Sequence, residues 1–222
     1  MKIIEPSVEI LTEINENKIL KQIEIAARNC YKSEDKITDD CESAKKIIKI
    51  LLDNHHEAMI EFADIMVRLN CDIGVYKDLT RHRHCSFAIE STRYCNYSKG
   101  KFNEEITFIE PCNIVKYDNI TPRDASFTEP FYTKEYRLWY DTMNFIEENY
   151  IRMAKLGCKP DQLRMILPHS TAASVVMKAN IREWRHILKL RTSKAAHPSV
   201  QQVMKMILNK FKEKIPVLFD DI

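Results

Sequence analysis

Apolar residues recur every three or four positions along five segments of the chain, with charged residues between them. This spacing is that of an amphipathic helix, which packs one face against a core. It predicts helices over residues 17–31, 43–53, 132–156, 180–190 and 198–215. Two shorter helices are predicted over residues 71–81 and 160–166, the second because Pro160 suits a first helical turn.

Other segments favour strands. Residues 61–70 alternate in part and carry Ile65, Val67 and Leu69 on one side, as a half-buried strand does. Further strands are predicted over residues 2–11, with a turn at Pro6, over residues 102–111, ending at Pro111 or at the residue before it, and over residues 171–178. Loops are expected over residues 33–40 and 122–130.

The order of these elements indicates the fold class. Helices and strands are mixed without a regular βα alternation, and no Gly-rich linker divides the 222 residues. The sequence therefore predicts one α+β domain over residues 1–222, with a central, mostly antiparallel sheet flanked by helices.

The charge distribution narrows the choice of ligands. Lys and Arg total 34 and Asp and Glu total 32, so a net charge of +2 argues against nucleic acid or a membrane surface as a partner. Two segments are nevertheless basic: residues 77–101 hold six Lys/Arg against two acids, and residues 182–194 hold five against one. Two basic segments in a near-neutral protein indicate small anionic ligands.

The cysteine content bears on the compartment. Seven cysteines without a CxxC pair match neither a disulfide framework nor a zinc ribbon, so reduced thiols in the cytosol are expected. No signal peptide is predicted, and no stretch approaches the roughly 20 apolar residues of a membrane helix. The sequence thus predicts a cytoplasmic protein.

The segment from Arg81 to Tyr94, RHRHCSFAIESTRY, carries the most chemistry. Its clustered cations repel one another unless an anion offsets them, and arginine forks match phosphate oxygens. An isolated RHR tripeptide is most often a solvated basic loop. Two other interpretations are a metal site at His82 and His84, for which no third ligand is evident, and contact with nucleic acid.

A longer pattern includes this tripeptide. Arg81-His82-Arg83, seven residues and Ser91 resemble the RHR-x7-S signature of the flavin-dependent thymidylate synthases, and the match continues into Arg93-Tyr94. Other matches follow the order of that family: His56-Glu57, Arg164, Leu167-Pro168, Asn180-Ile181-Arg182, Trp184-Arg185-His186 and Leu190-Arg191. The resemblance covers residues 56–191, and the order of its motifs makes it specific.

The resemblance implies an enzyme that methylates dUMP to dTMP, with methylenetetrahydrofolate as carbon donor and a hydride passed from NADPH or NADH through FAD. Arg191 is implied as the catalytic residue, because a fixed cation stabilises the charge that develops on the uracil. The implied dUMP-binding residues are Arg81, Glu90, Ser91, Thr92, Arg93, Arg164 and Arg191. The implied FAD-binding residues are His56, Arg81, His82, Arg83, Asn180, Arg182 and His186. No metal is implied, and the family assembles as homotetramers with shared active sites.

The chain departs from the family pattern at three places. Ala88 and Ile89 stand where the family has Asn-Glu, and the acid is Glu90; Asp78 replaces a glutamine; and the histidine after Arg191 is displaced to His197. These changes indicate a divergent member. Cys85 and Cys95 flank the motif, but the family does not rely on a cysteine nucleophile. The alternatives are a basic nucleic-acid-binding module and a flavoprotein of this fold without synthase activity.

Overall fold

The structure, a computed structural model, describes residues 1–117 and 132–222. The loop predicted over residues 122–130 lies outside the described residues. The strands are β1 (Lys2–Ile4), β2 (Ser7–Ile10), β3 (Asp64–Asp72), β4 (Cys85–Ile89), β5 (Thr107–Ile109) and β6 (Ala172–Asn180). The helices are α1 (Glu16–Tyr31), α2 (Glu42–Asp53), α3 (Ile73–Leu79), α4 (Lys134–Lys155), α5 (Pro160–Leu163), α6 (Ile181–Arg191), α7 (Pro198–Lys214) and α8 (Pro216–Phe219).

Four strands form one sheet in the order β2-β3-β6-β4. The β2–β3 pair is antiparallel, with Val8 opposite Leu69, and so is the β4–β6 pair, with Phe87 opposite Met177. β1 and β5 form a separate parallel pair. The predicted α+β class with a mostly antiparallel sheet is confirmed.

Contacts divide the chain into two compact units. Unit 1 comprises residues 1–6, 71–75 and 90–173, and unit 2 comprises residues 7–70, 76–89 and 174–222. Unit 1 contains β1, β5, α4 and α5, whereas unit 2 contains β2, α1, α2, α6, α7 and α8. The single domain over residues 1–222 therefore stays a prediction.

Each unit has its own apolar core. In unit 1 one cluster of buried side chains comprises Tyr97, Ile106, Phe108, Met143, Tyr150 and Leu163. In unit 2 Trp184 of α6 stacks edge-on against Phe211 of α7 at 5.4 Å, and its indole N–H donates to the Ile65 carbonyl at 3.0 Å. Because burial of such a side chain contributes about 1.5–3 kcal/mol, this contact holds α6 firmly against the sheet.

The five long predicted helices are confirmed to within two residues at each end. The strand predicted over residues 102–111 is shorter, because Asn103 and Glu104 have positive φ values of 50° and 58° that interrupt an extended chain. β4 and α8 were not predicted. β4 lies in a basic segment, where the charged residues made the alternation of its positions hard to recognise. Within the described residues, no helix combines the length and apolarity that a bilayer-spanning segment requires.

Candidate active site

Helix α6 places three of the predicted FAD-binding residues around one cavity of unit 2. Asn180 precedes the helix, and its Oδ1 accepts the Glu183 N–H at 2.8 Å, which caps the first turn. Arg182 and His186 share a face because they are four residues apart. The cavity has a volume of about 440 Å³ and is lined by Glu57, Glu61, His84, Asn180, Arg182, Glu183 and His186.

Ion pairs neutralise part of this cavity. Arg182 Nη1 lies 2.7 Å from Glu61 Oε1, and Arg182 Nε lies 3.9 Å from Glu57 Oε2. The hydrogen bond to Glu61 raises the pKa of Arg182 above its usual value. Both side chains of the Arg182–Glu61 pair are about half exposed, so breaking this ion pair costs little free energy.

A second, more open cleft of unit 2 lies along β4 and the end of β6. It has a volume of about 340 Å³ and is lined by Asp64, Arg83, His84, Cys85, Ser86, Lys178, Ala179 and Asn180. His84 and Asn180 line both clefts. Arg83 of the RHR tripeptide and Asn180, which caps α6, therefore line the same cleft.

Arg191, the predicted catalytic residue, is held by two contacts within unit 2. Its Nε donates to His82 Nε2 at 3.0 Å, and its Nη2 donates to the Asp78 main-chain carbonyl at 3.0 Å. A guanidinium carries five N–H donors, so three remain for a ligand. Arg191 is the last residue of α6, where the helix dipole favours a cation.

His82 is buried, and it is surrounded by charged and titratable groups. Its ring lies 5.9 Å from the His186 ring, and its Nδ1 lies 3.5 Å from Glu183 Oε1. Burial, together with Arg191 and His186, lowers the pKa of His82 to about 4. The ring is therefore neutral at pH 7, which its role as acceptor for Arg191 requires.

His82, Glu183 and His186 carry atoms that can bind a metal ion. Ligand atoms of His82, Glu183 and His186 lie within 4.8 Å of one another. However, His82 Nε2 accepts the Arg191 N–H, so Nδ1 of the neutral ring carries the proton and has no lone pair for a metal. The adjacent guanidinium also repels a second cation. The cluster fits a hydrogen-bonded arrangement better than a metal centre.

The predicted dUMP-binding residues 90–93 form a tight turn in unit 1. The Ser91 carbonyl accepts the Cys95 N–H at 2.9 Å, and Ser91 Oγ accepts the Arg93 N–H at 3.3 Å. The buried Tyr97 hydroxyl donates to Glu90 Oε1 at 3.3 Å. Burial, with Glu90 next in effect, raises the pKa of Tyr97, so the hydroxyl keeps its proton.

The remaining predicted residues are placed as follows. Arg81 and His56 in unit 2 are exposed, and among the described residues neither lines the two clefts given above. In unit 1, Arg164 begins an exposed 3-10 turn, Thr92 is half-buried, and Arg93 lies 5.7 Å from the Tyr94 ring centre.

A match to a family model assigns the chain. The model described as "Thymidylate synthase complementing protein", Thy1, matches residues 13–217. The chain belongs to the Thy1 family. This match spans both basic segments, so the family recognised from the motifs is confirmed, and so is the prediction that the chain is an enzyme.

Relatives and solved structures agree with the assignment to Thy1. A flavin-dependent thymidylate synthase of Corynebacterium aurimucosum is 26% identical over 205 residues, covering 90% of this chain and 78% of that protein. A probable flavin-dependent thymidylate synthase of Mycobacterium phage D29 is 25% identical, covering 90% and 81%. The UMP/dUMP methylase PolB from Streptomyces cacaoi, bound with 5-Br dUMP, has a TM-score of 0.75 at 22% identity, covering 99% of this chain and 96% of that one. At this identity, the likeness to PolB shows the Thy1 chain's fold.

Sequence reasoning missed two parts of the Arg191 environment. Glu183 was counted only as an acid within a basic segment, although its spacing of three residues from His186 could have placed both on one face. The Asp78 carbonyl could not have been found, because a main-chain acceptor leaves no trace in residue type. The displaced His197 has a local role, since its Nδ1 accepts the Ser199 N–H and caps α7.

Proposed function

We propose that this Thy1 protein is a flavin-dependent thymidylate synthase. The reaction is reductive methylation of dUMP to dTMP, with 5,10-methylenetetrahydrofolate as carbon donor and a hydride from NADPH or NADH. The observation that carries the proposal is the Thy1 match over residues 13–217, which includes the RHR tripeptide, the α6 segment and Arg191. The names of the curated relatives support the same reaction.

Arg191 is the catalytic residue of the proposed reaction. Methylation at C5 builds negative charge on the uracil imide, and a guanidinium facing N3 and O2 stabilises that charge. Two of the Arg191 donors are already bonded to His82 and the Asp78 carbonyl, so the guanidinium is oriented before substrate binds. Preorganised donors are effective because they need no reorientation in the transition state.

FAD fits the donor set around the start of α6. The cavity and the adjoining cleft offer Arg83, Asn180, Arg182 and His186. When bound, the flavin supplies the hydride that completes the methyl group. Arg182 exchanges its ion pair with Glu61 for a flavin oxygen, while Asn180 holds the first turn in place.

We assign the phosphate and sugar of dUMP to Arg81, Arg93 and Arg164, with Glu90, Ser91 and Thr92 completing the loop around the nucleotide. Arginine suits this role because its planar fork binds two phosphate oxygens at once. The 5-Br dUMP bound by PolB supports a deoxyuridylate ligand. His56 and His82 complete the proposed flavin contacts, together with Arg81.

We further propose a cytoplasmic homotetramer that shares its active sites between subunits, binding neither nucleic acid nor membrane. The two basic segments then serve one flavin and one nucleotide, whose phosphates carry several negative charges. The folate and the nicotinamide reductant bind as cosubstrates.

A visible absorption spectrum of the purified protein tests the proposal, with and without added FAD and during titration with dUMP. A flavin spectrum that changes with dUMP, followed by dTMP formation in a full assay, is the expected result. A flavin spectrum without dTMP formation in the presence of folate and NADPH or NADH would favour a flavoprotein without synthase activity. A protein that takes up no FAD and does not respond to dUMP would contradict the proposal.

A further inference from the structure

The contact between Arg191 and His82 requires one particular tautomer of the imidazole ring. Arg191 Nε is a donor in every protonation state of the protein, because a guanidinium has no acceptor. His82 Nε2 accepts a hydrogen bond from Arg191 Nε at 3.0 Å, so Nε2 itself carries no proton. In a neutral imidazole, the ring proton then sits on Nδ1.

Glu183 lies on the side of the ring that carries this proton. Its Oε1 is 3.5 Å from His82 Nδ1, and both side chains are largely buried, with relative exposures of 13% and 6%. The Glu183 backbone is fixed by the Asn180 cap at 2.8 Å. A carboxylate in this place stabilises the Nδ1–H tautomer over the Nε2–H tautomer, which would direct a donor against the Arg191 donor.

We propose that Glu183 and His82 are positioning residues for Arg191: Glu183 selects the Nδ1–H tautomer of His82, and His82 with the Asp78 carbonyl fixes the guanidinium plane. The inference rests on the proposed function for its kinetic consequence, although its structural part concerns only this chain. Neither residue needs to touch the uracil. Their effect on the reaction passes through the orientation of Arg191.

The arrangement resembles the carboxylate–histidine pairs of other proteins. In such pairs the carboxylate fixes the tautomer and orientation of the histidine, and the histidine in turn orients the group that it contacts. Here the first turn of α6 supplies Glu183 and the last residue of the helix is Arg191, so one helix carries both ends of this series of contacts. His82, between them, comes from the loop that follows α3. A small rotation of the His82 ring therefore displaces Arg191.

A direct test needs neither substrate nor activity. ¹⁵N NMR of histidine-labelled protein at pH 7 reports the tautomer of each imidazole ring, and His82→Gln assigns the His82 signals. We expect the Nδ1–H form in the unaltered protein. In Glu183→Ala, we expect a mixture of tautomers, and in Glu183→Gln the Nδ1–H form again, because the amide oxygen still accepts. An Nε2–H tautomer in the unaltered protein, or no change in Glu183→Ala, would overturn the proposal.

A kinetic test measures whether the loss of Glu183 impairs catalysis by Arg191. In Glu183→Ala, kcat for dTMP formation should fall by about 10²-fold, the cost of a misplaced catalytic group. KM for dUMP should change less than kcat, and Glu183→Gln should recover most of the loss. Glu213→Gln, an exposed glutamate of α7, is the matched control and should leave kcat unchanged. An unaltered kcat in Glu183→Ala would contradict the proposed positioning role.

The two tests separate failure of this inference from failure of the proposed function. If the unaltered protein forms no dTMP but shows the Nδ1–H tautomer that Glu183→Ala loses, the contact chain stands and the assigned reaction is wrong. If dTMP forms but the tautomer does not depend on Glu183, the reaction stands and the positioning role is wrong.

Discussion

Arg182 and Glu61 form an ion pair of 2.7 Å at the cavity where the flavin is proposed to bind. The pair joins the first turn of α6 to the 3-10 turn Glu57–Phe62 that precedes β3. Both residues lie in unit 2, and both line the cavity, so the main cation offered to an anionic cofactor is already occupied by a carboxylate. FAD binding therefore competes with Glu61 for the guanidinium.

This competition predicts that Glu61→Gln tightens FAD binding. An exposed ion pair of this kind contributes about 0.2–1 kcal/mol, so the Kd for FAD should fall by about 1.4- to 5-fold. Quenching of flavin fluorescence measures the Kd, and Arg182→Ala should weaken binding in the same assay. Weaker binding in Glu61→Gln would show that Glu61 contributes to the flavin site and does not oppose it.

A second prediction concerns the catalytic assignment. Arg191→Ala should lower kcat for dTMP formation by more than about 10²-fold, since removal of one preorganised donor commonly costs 10²–10³. The circular dichroism spectrum and FAD content should be largely retained. Arg152→Ala, which removes an exposed arginine of α4, is the control and should keep full activity. An active Arg191→Ala enzyme would rule out the role given to this residue.

The two cysteines beside the motif give a third prediction. Burial, followed by the effect of Glu183, raises the pKa of Cys85 to about 12, and burial also raises the pKa of Cys95. Both are therefore thiols at pH 7, whereas a nucleophile must be a thiolate. Cys85→Ala and Cys95→Ala should each keep dTMP formation within a few-fold. Complete loss of activity in a folded variant of either would reopen the question of a cysteine nucleophile.

The success of sequence reasoning differed between local and tertiary features. The helices were predicted well because positions such as Trp184 and Ile187 repeat with the helical period and are fully buried. β4 was missed because its residues alternate between half-buried and exposed, and the charged RHR tripeptide before it suggested a loop. Local pattern therefore decided the helices, whereas pairing with β6 decided this strand.

In the candidate site, too, relationships between residues close in sequence were predictable, whereas contacts between distant residues were not. Asn180, Arg182 and His186 were singled out by the family resemblance, and the spacing of four residues placed Arg182 and His186 on one face of a predicted helix. The contact between His82 and Arg191 joins residues 109 positions apart, and no local pattern encodes it. The contact between Arg191 and Asp78 could not be predicted either. Its acceptor is the main-chain carbonyl of Asp78, which does not depend on the side chain that departs from the family pattern.

A fourth prediction concerns stability and uses a buried ion pair of unit 2. Glu24 of α1 is fully buried; its Oε1 accepts from Arg28 Nε at 2.7 Å, and its Oε2 accepts from Ser43 Oγ of α2 at 3.0 Å. Glu24→Ala leaves the arginine charge without its partner, so the free energy of unfolding should fall by about 3–5 kcal/mol. Urea denaturation measures the change.

Glu9→Ala is the matched control for this change. Glu9 pairs with Arg68 at the same 2.7 Å, but their side chains are 60% and 43% exposed, so the loss should stay below about 1 kcal/mol. Equal losses in Glu24→Ala and Glu9→Ala would mean that burial does not set the strength of the Glu24 network.

A fifth prediction follows from the lowered pKa of His82. The pKa is about 4 in the folded protein and 6.5 for an unperturbed histidine, so between these values the unfolded chain binds the proton and the folded chain does not. Stability that is fully present above pH 6.5 is therefore lost as the pH falls towards 4, and the loss from this residue stops below that. Each pKa unit corresponds to about 1.4 kcal/mol, so the expected effect is a few kcal/mol.

Urea denaturation at pH 7 and pH 4.5 of the unaltered protein and of His82→Gln isolates this contribution from that of other groups. The glutamine can accept from Arg191 through its side-chain oxygen but cannot titrate, so the stability of His82→Gln should fall less between the two pH values. Because the remaining titratable groups are common to both proteins, the difference between the two losses belongs to His82. An equal loss in both proteins would mean that His82 takes up its proton in the folded state as readily as in the unfolded chain, and that burial and Arg191 do not hold the ring neutral.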